Sequence, residues 1–418
     1  MSEQVATSSS VPLPETSVLN GFSQVCLEED NSWNFEGQDT QYSIHCLHTY
    51  LAAMIPQLAR RLIDSYVQPG GSVLDPFCGG GAVLVEAILS GRKATGLDIN
   101  DLAGLISKAK TTHIGRQDIE SVGQFILEKA RGYAGPPLSF SKSSYIDFWF
   151  KPYMLVPLTG LRKTIDGLEE GHLKNLFKVI FSATVRNVSL TYRNEIRLRR
   201  MTKEEQEAFN PDVFDKFEEK LNQAIERVPN LPNGCRAVVE KIDTRSLSFR
   251  KNQFDAIVCS PPYGDERNGV PYTQFAKNML YWLGFTREDI MLAKKMSLGW
   301  SKGGKVAPPS STLIENLEGI REYPTSVVEA IAFYADYFVA LKKMAHVVSD
   351  RIIIVIGQRV LQNTVFDNAK ITAELMAEIG INLEKIILRK LPTKRLPKMR
   401  EYGAAIDKES ILIFKKKN

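Results

Sequence analysis

The chain has 418 residues, 53 Lys and Arg against 48 Asp and Glu, a net charge of +5, and 44% apolar residues. That balance excludes a wholly disordered chain and suits two or three domains of about 150 residues each. Five cysteines with no C-x-x-C pair speak against a disulfide framework or a zinc ribbon and fit a reducing cytoplasm.

Residues 1–40 open with MSEQVATSSSVPLPETS, which is polar and lacks the basic-then-apolar order of a signal peptide. They are predicted to form a disordered or irregular tail. No stretch of about 18 apolar residues occurs, so no membrane-spanning helix is expected.

Residues 41–110 alternate patterns. TYLAAMIPQLARRLIDSYV reads as a helix, and GSVLD after a Pro-Gly-Gly turn reads as a strand. A Gly-rich loop, the helix AVLVEAILSGR and the strand KATGLDIN follow. Residues 111–234 lack strand runs and are rich in helix formers, which predicts a helical insertion.

Residues 235–418 return to alternation. Their strands are RAVVEKID, FDAIVCS, RIIIVIG, NLEKIILRKL and SILIFKKK, with helices at 326–343 and NAKITAELMAEIG. Within them, residues 287–322 (SLGWSKGGKVAPPSS at the centre) read as a flexible loop or cap. Continuous apolar strands alternating with helices predict a seven-stranded, doubly wound, Rossmann-like α/β sheet. The last two strands leave no room for a crossover helix, so an antiparallel edge is expected.

The first chemical signal is Asp75-Pro76-Phe77-Cys78-Gly79-Gly80-Gly81, between a strand and a helix. Glycines there let the backbone approach a ligand closely. No Lys-Ser/Thr follows, so the loop is not a phosphate-binding P-loop, and it is not G-x-G-x-x-G. Asp98 ends the next strand, 23 residues on, with Ile99 beside it. Acids at that distance meet ribose hydroxyls in nucleoside-binding sheets.

The second signal is Ser260-Pro261-Pro262-Tyr263, at the end of an apolar strand. Two prolines fix the backbone and withhold donors, leaving the Ser260 hydroxyl, the Pro261 carbonyl and a rigid aromatic ring side by side. Such a set can stack a planar base and grip its exocyclic amine. Cys259 points, by strand alternation, to the other face, which disfavours a covalent cysteine mechanism.

These motifs, in this order, resemble the S-adenosylmethionine-dependent amino-methyltransferases of DNA. The resemblance covers residues 42–110 and 237–417. It implies that Asp75, Pro76, Phe77, Cys78, Gly79 and Gly81 hold S-adenosylmethionine, with Asp98 on its ribose and Asp243 on its adenine. It makes Ser260-Pro261-Pro262-Tyr263 the catalytic motif and HCLHTYLAAMIPQLARRLI a helix closing over the methionine end. Gly80 departs from the pattern, since many members carry Ser there. Ser at the head of the catalytic motif resembles cytosine-N4 enzymes. Adenine N6, or guanine N2 of tRNA, is the alternative.

The family's partner is double-stranded DNA, and its setting is the cytoplasm of a bacterium or archaeon, at the nucleoid. Restriction–modification or phage defence with a separate endonuclease chain is the expected context. For DNA contact the sequence offers Arg193, Arg197 and Arg200, spaced as one face of a helix, and Lys394 and Arg395 in a basic run between the last two strands. The alternative there is a solvated face. His45 and His48 lack a third ligand, so no metal site is expected. Phe148, Trp149 and Phe150 read as insertion core.

Overall fold

A computed structural model describes residues 26–192, 198–234, 236–264, 266–267, 270–391 and 408–416. Ten strands occur among them: β1 (Cys26–Glu29), β2 (Ser72–Asp75), β3 (Lys93–Leu97), β4 (Val238–Glu240), β5 (Phe254–Cys259), β6 (Val348–Gly357), β7 (Arg359–Leu361), β8 (Thr364–Phe366), β9 (Asn382–Lys390) and β10 (Lys408–Lys415). Eight of them form one sheet in the order β1-β9-β10-β6-β5-β2-β3-β4. β10 runs antiparallel to both β6 and β9, and the other pairings are parallel. All seven predicted strands are present, and the last two pair antiparallel as expected, with β10 lying inside the sheet between β9 and β6 rather than at its edge.

The eighth strand corrects the tail reading for residues 26–40; residues 1–25 lie outside the described residues. Cys26–Glu29 pairs in parallel with β9, Cys26 opposite Lys385. A 3-10 turn follows at Asn31–Trp33, and the Asn34 carboxamide oxygen accepts from the Lys390 amide at 2.8 Å. Trp33 is buried, with the Arg61 guanidinium 3.8 Å above its ring. Four residues, CLEE, are too few to show alternation, and a distant partner strand supplies their order. The small hairpin β7-β8 was also missed. Gln362 and Asn363 at its tip both have positive φ, the geometry of a two-residue primed turn that Asn-Gly would have signalled.

Three helices serve the first half of the sheet: α1 (Pro56–Tyr66), α2 (Ala82–Leu89) and α3 (Asp101–Lys110). The helical insertion holds α4 (Arg116–Arg131), α5 (Ile146–Trp149), α6 (Pro152–Asp166), α7 (His172–Val188), α8 (Lys203–Ala208) and α9 (Val213–Arg227). The second half adds α10 (Tyr272–Trp282), α11 (Arg287–Met296), α12 (Ser311–Glu318), α13 (Pro324–Val347) and α14 (Asn368–Glu378).

The insertion does not stand apart. Its apolar side chains share one core with Leu102 and Ile106 of α3 and with Trp282 of α10. Trp282 is fully buried and takes edge-on contacts from Phe140, Phe150 and Phe181, at centroid distances of 4.8, 5.7 and 6.2 Å. Residues 287–322 are not merely a loop either, since α11 and α12 lie within them. The turn between these helices is pinned by the buried Asp336 carboxylate, which accepts from the Gly299 amide at 2.8 Å and pairs with Lys305 at 2.6 Å. Gly299 sits at φ +78° against the Phe333 backbone, where a side chain would not fit.

A buried carboxylate ties the chain before α1 to α2. Glu86 accepts from the Tyr42 hydroxyl and bonds His45 Nε2, both at 2.8 Å, with Arg60 at 3.7 Å. Burial holds the His45 pKa below its usual value, so this is mainly a hydrogen-bonded junction rather than an ion pair. Glu86→Ala leaves those groups without an acceptor in the interior. It is expected to lower unfolding free energy by about 3 kcal/mol in denaturant titrations. A change within about 0.5 kcal/mol, the range of neutral surface substitutions, would show that the junction contributes nothing.

Candidate active site

The sheet changes winding direction between β2 and β5, and ligands bind open α/β sheets at such a point, beyond the carboxyl ends of the strands. A cleft opens there. Asp75, Pro76, Phe77, Cys78, Gly79, Asp98, Ile99, Asp243, Ser260 and Pro262 all line it. Pro261, Tyr263 and Gly81, also singled out in the sequence, are not among the residues that line it.

The loop after β2 is shaped by its glycines. Gly79, at φ +49°, donates its amide to Asp98 Oδ2 at 2.9 Å, and its carbonyl accepts from Ser107 Oγ at 2.8 Å. Gly81, at φ +79°, begins α2, and a Cβ there would lie 2.8 Å from Ser107 Oγ. A Cβ on Gly80 would lie 2.8 Å from Tyr50 Cβ. The departure from Ser at this position therefore has a local cause: Tyr50 occupies the space.

Tyr50 belongs to the segment expected to be a helix. That expectation needs correction, because only Pro56–Tyr66 is helical. Residues 49–55 form an irregular bend, with Ala52 at φ +48°, and Tyr50 to Met54 line the cleft. The Tyr50 ring stacks on Tyr272, with centroids 6.0 Å apart, and meets Phe275 edge-on at 5.8 Å. Lys110, buried, fixes the approach to this bend by donating to the carbonyls of His45 and His48 at 3.0 and 2.8 Å.

Asp98 accepts the Gly79 amide on one oxygen and the Asn100 amide, at 2.8 Å, on the other. Each oxygen keeps a lone pair for a ligand hydroxyl. Asp75 accepts the Phe77 amide at 3.1 Å. Burial is the main cause that pushes the Asp98 carboxyl up to about 6 and Asp75 up to about 8. Asp243 caps the turn Thr244–Ser246 and is gripped by Arg245 through Nε at 3.0 Å and Nη2 at 2.5 Å. Arg245 reaches on to Asp336, 2.7 Å away, which joins the cap to the cleft floor.

These residues fit the nucleoside and amino-acid parts of S-adenosylmethionine. Gly79 and the carboxylates of Asp75, Asp98 and Asp243 line the cleft, and Phe77, Ile99, Ile242 and Leu298 give it apolar walls. A ligand that needs Asp98 ionised competes there with protons. Its affinity is therefore expected to fall about tenfold per unit as pH drops below about 6, in calorimetric titrations between pH 5 and 8. A flat profile would remove Asp98 as a ligand. In the free protein the sign reverses: raised carboxyl values favour the folded state at low pH, and that contribution is lost as pH rises through about 6 and about 8.

Ser260 Oγ lies 3.3 Å from the Tyr263 hydroxyl, which donates to Glu409 Oε1 at 2.8 Å. Pro261 is buried and the Tyr263 ring packs partly against the core under α13. Asn368 Nδ2 holds the Tyr263 carbonyl at 2.9 Å. Cys259 is fully buried in that core, facing away from the cleft as alternation predicted, and burial pushes its thiol far up. A thiolate nucleophile there is disfavoured.

Sequence reasoning missed Glu266, Thr273 and the Met296–Leu298 stretch of the 287–322 cap, which also line the cleft. It missed Glu409 as well, a strand residue without a motif around it.

The basic candidates fare differently. Arg193, Arg197, Lys394 and Arg395 lie outside the described residues. Arg200 is described, and it is not on a helix. It forms an antiparallel bridge with Thr191, supported by Tyr192 N–H to the Arg199 carbonyl at 2.7 Å and Met201 N–H to the Leu190 carbonyl at 2.9 Å. At Arg200, helical spacing without an apolar face to bury did not specify a helix. Arg200 instead covers the Phe148 ring at 4.2 Å. Phe148 is 45% exposed, while Phe150 is core.

Comparison with known proteins agrees with this geometry. Residues 25–107 match the DNA methylase family of N6/N4 enzymes. The chain is 28% identical to the type II methyltransferase M.MvaI of Kocuria varians, over 93% of this chain and 95% of that one. A shorter likeness, 38% over 18% of this chain and 22% of the relative, links it to a tRNA (guanine(10)-N2)-dimethyltransferase of Methanothermobacter thermautotrophicus. Among solved structures, an S-adenosylmethionine-dependent methyltransferase of Methanosarcina mazei aligns over 85% of this chain and 96% of that one, at 10% identity and a TM-score of 0.31. The fold assignment rests on the strand order itself. The match over residues 25–107 and the likeness to a type II methyltransferase along almost the whole chain together support the N4/N6 family of S-adenosylmethionine-dependent DNA amino-methyltransferases.

Proposed function

We propose that this DNA methyltransferase modifies cytosine at N4, within a short duplex sequence, as the modification half of a restriction–modification system. The observation that carries the reading is that Ser260 lines the same cleft as Gly79 and Asp98. A likeness to a type II methyltransferase along almost the whole chain supports the setting. The endonuclease would be a separate chain.

An exocyclic amine conjugated to a base is a weak nucleophile. The Ser260 hydroxyl and the Pro261 carbonyl would accept its two N–H bonds and favour a pyramidal nitrogen, with its lone pair turned to the cleft. Bound S-adenosylmethionine would supply an electrophilic methyl and leave as S-adenosylhomocysteine. Asp98, Asp75 and Asp243 would hold the nucleoside and amino-acid groups. The surplus amine proton would leave to solvent. The base must leave the duplex stack to reach Ser260, and Tyr263 would border it there. Arg193, Arg197, Arg200, Lys394 and Arg395 are proposed to meet DNA.

The test offers labelled S-adenosylmethionine with duplex DNA and with bulk tRNA separately, followed by nucleoside mass spectrometry. N4-methylcytosine from DNA is expected. N6-methyladenine would overturn the choice of base, and label in tRNA alone would overturn the substrate, as the shorter guanine-N2 likeness would then suggest.

A further inference from the structure

The route by which Glu409 reaches the catalytic motif follows from strand direction. β5 and β6 are parallel and deliver their carboxyl ends, Ser260 and Gly357, to the cleft edge of the sheet. β10 runs the opposite way, so its first residues arrive at that edge, with Glu409 opposite both Gly357 of β6 and Arg389 of β9. Arg389 is 3% exposed, and its Nε lies 3.7 Å from Glu409 Oε2. A buried cation on the neighbouring strand thus keeps a carboxylate beside the S-P-P-Y motif.

The hydrogen bonds that follow have only one possible direction. A carboxylate accepts and does not donate, so the single Tyr263 hydroxyl hydrogen goes to Glu409, at 2.8 Å. The 3.3 Å contact between Tyr263 and Ser260 then has one hydrogen left to fill it, that of Ser260. Contacts of this length in ligand-free sites commonly tighten when substrate arrives. With its hydrogen given to Tyr263, Ser260 turns both lone pairs elsewhere.

That polarity matters chemically. A freely rotating serine hydroxyl can donate to the amine nitrogen and occupy the lone pair that must form the new N–C bond. A hydroxyl whose hydrogen is committed can only accept from the amine. We propose that Glu409, held by Arg389, is a positioning residue that fixes the Ser260 hydroxyl as a hydrogen-bond acceptor through Tyr263. The proposal rests on the assignment of Ser260 to the target amine made above.

The test is a double-mutant cycle in the full chain. Glu409→Gln keeps the shape but introduces an amide that can donate, and Tyr263→Phe keeps the ring but removes the link. Each single variant is expected to lower kcat about tenfold to a hundredfold. KM for DNA and affinity for S-adenosylhomocysteine should be unchanged, which separates the effect from loss of fold. The double variant should be no slower than the slower single one, because both act through one chain of hydrogen bonds. Additive losses, or wild-type kcat in Glu409→Gln, overturn the proposal while leaving the site assignment intact. Should Glu409→Gln fail to bind S-adenosylhomocysteine, Tyr263→Phe decides alone, since it leaves the Glu409–Arg389 pair in place; wild-type kcat there overturns the proposal. A wild-type protein that methylates no DNA removes the site assignment, and this inference with it.

Discussion

Ser260→Ala is expected to lower the rate of methyl transfer by on the order of 10²–10³, the usual consequence of deleting one preorganised polar group at a reacting centre. Cofactor affinity should stay within about twofold, because the glycine cradle and Asp98 are untouched. The reason is local. Ser260 is the one hydroxyl that the β5 strand end presents to the cleft, and Pro261 and Pro262 hold it without backbone freedom. Tyr263→Ala should have at least as large an effect, since it removes both the ring and the partner of the Ser260 hydroxyl. Single-turnover transfer from labelled cofactor, beside calorimetry with S-adenosylhomocysteine, checks both expectations. Unchanged turnover in the two variants would sink the site assignment.

Asp98→Ala should act on the other half of the reaction. Two charge-assisted bonds to ribose hydroxyls are each worth about 1.5–3 kcal/mol. Their loss also releases the Gly79 and Asn100 amides that Asp98 holds. Cofactor affinity is expected to fall by about 10²–10³-fold, equivalent to about 3–4 kcal/mol. With cofactor saturating, the transfer rate should recover to near wild type. A variant that binds normally would place the ribose elsewhere in the cleft.

The strands that carry the site were legible because their signals are local. Apolar runs ending in Asp75, Asp98 and Ser260 name both the strand and the residue at its cleft end, so the order of motifs along the chain already implied a shared pocket. What escaped the sequence depends on distant partners. Tyr50 fills the space above Gly80 only because a bend, not a helix, precedes α1. The cap residues Met296–Leu298 reach the cleft because Asp336, on another helix, holds the turn beyond them. Glu409 is visible only after the antiparallel register of β10 is known. Arg200 follows the same rule: its charge periodicity suits a helix, but a backbone bridge to Thr191 sets its own conformation.

The pairing of β1 with β9 joins residues about 360 positions apart, Cys26 with Lys385. On a ribosome adding about 5–20 residues per second, the first strand would wait roughly 20–70 s before its partner exists. During that time the strands from β2 to β6 can assemble the cofactor-binding face, since every pairing among them is closed by the end of β6. The finished sheet is thus sealed last, from its two termini together. A ribosome-bound nascent chain halted after β6 should already protect the Asp75 loop from proteolysis, while its opening strand remains open to cleavage.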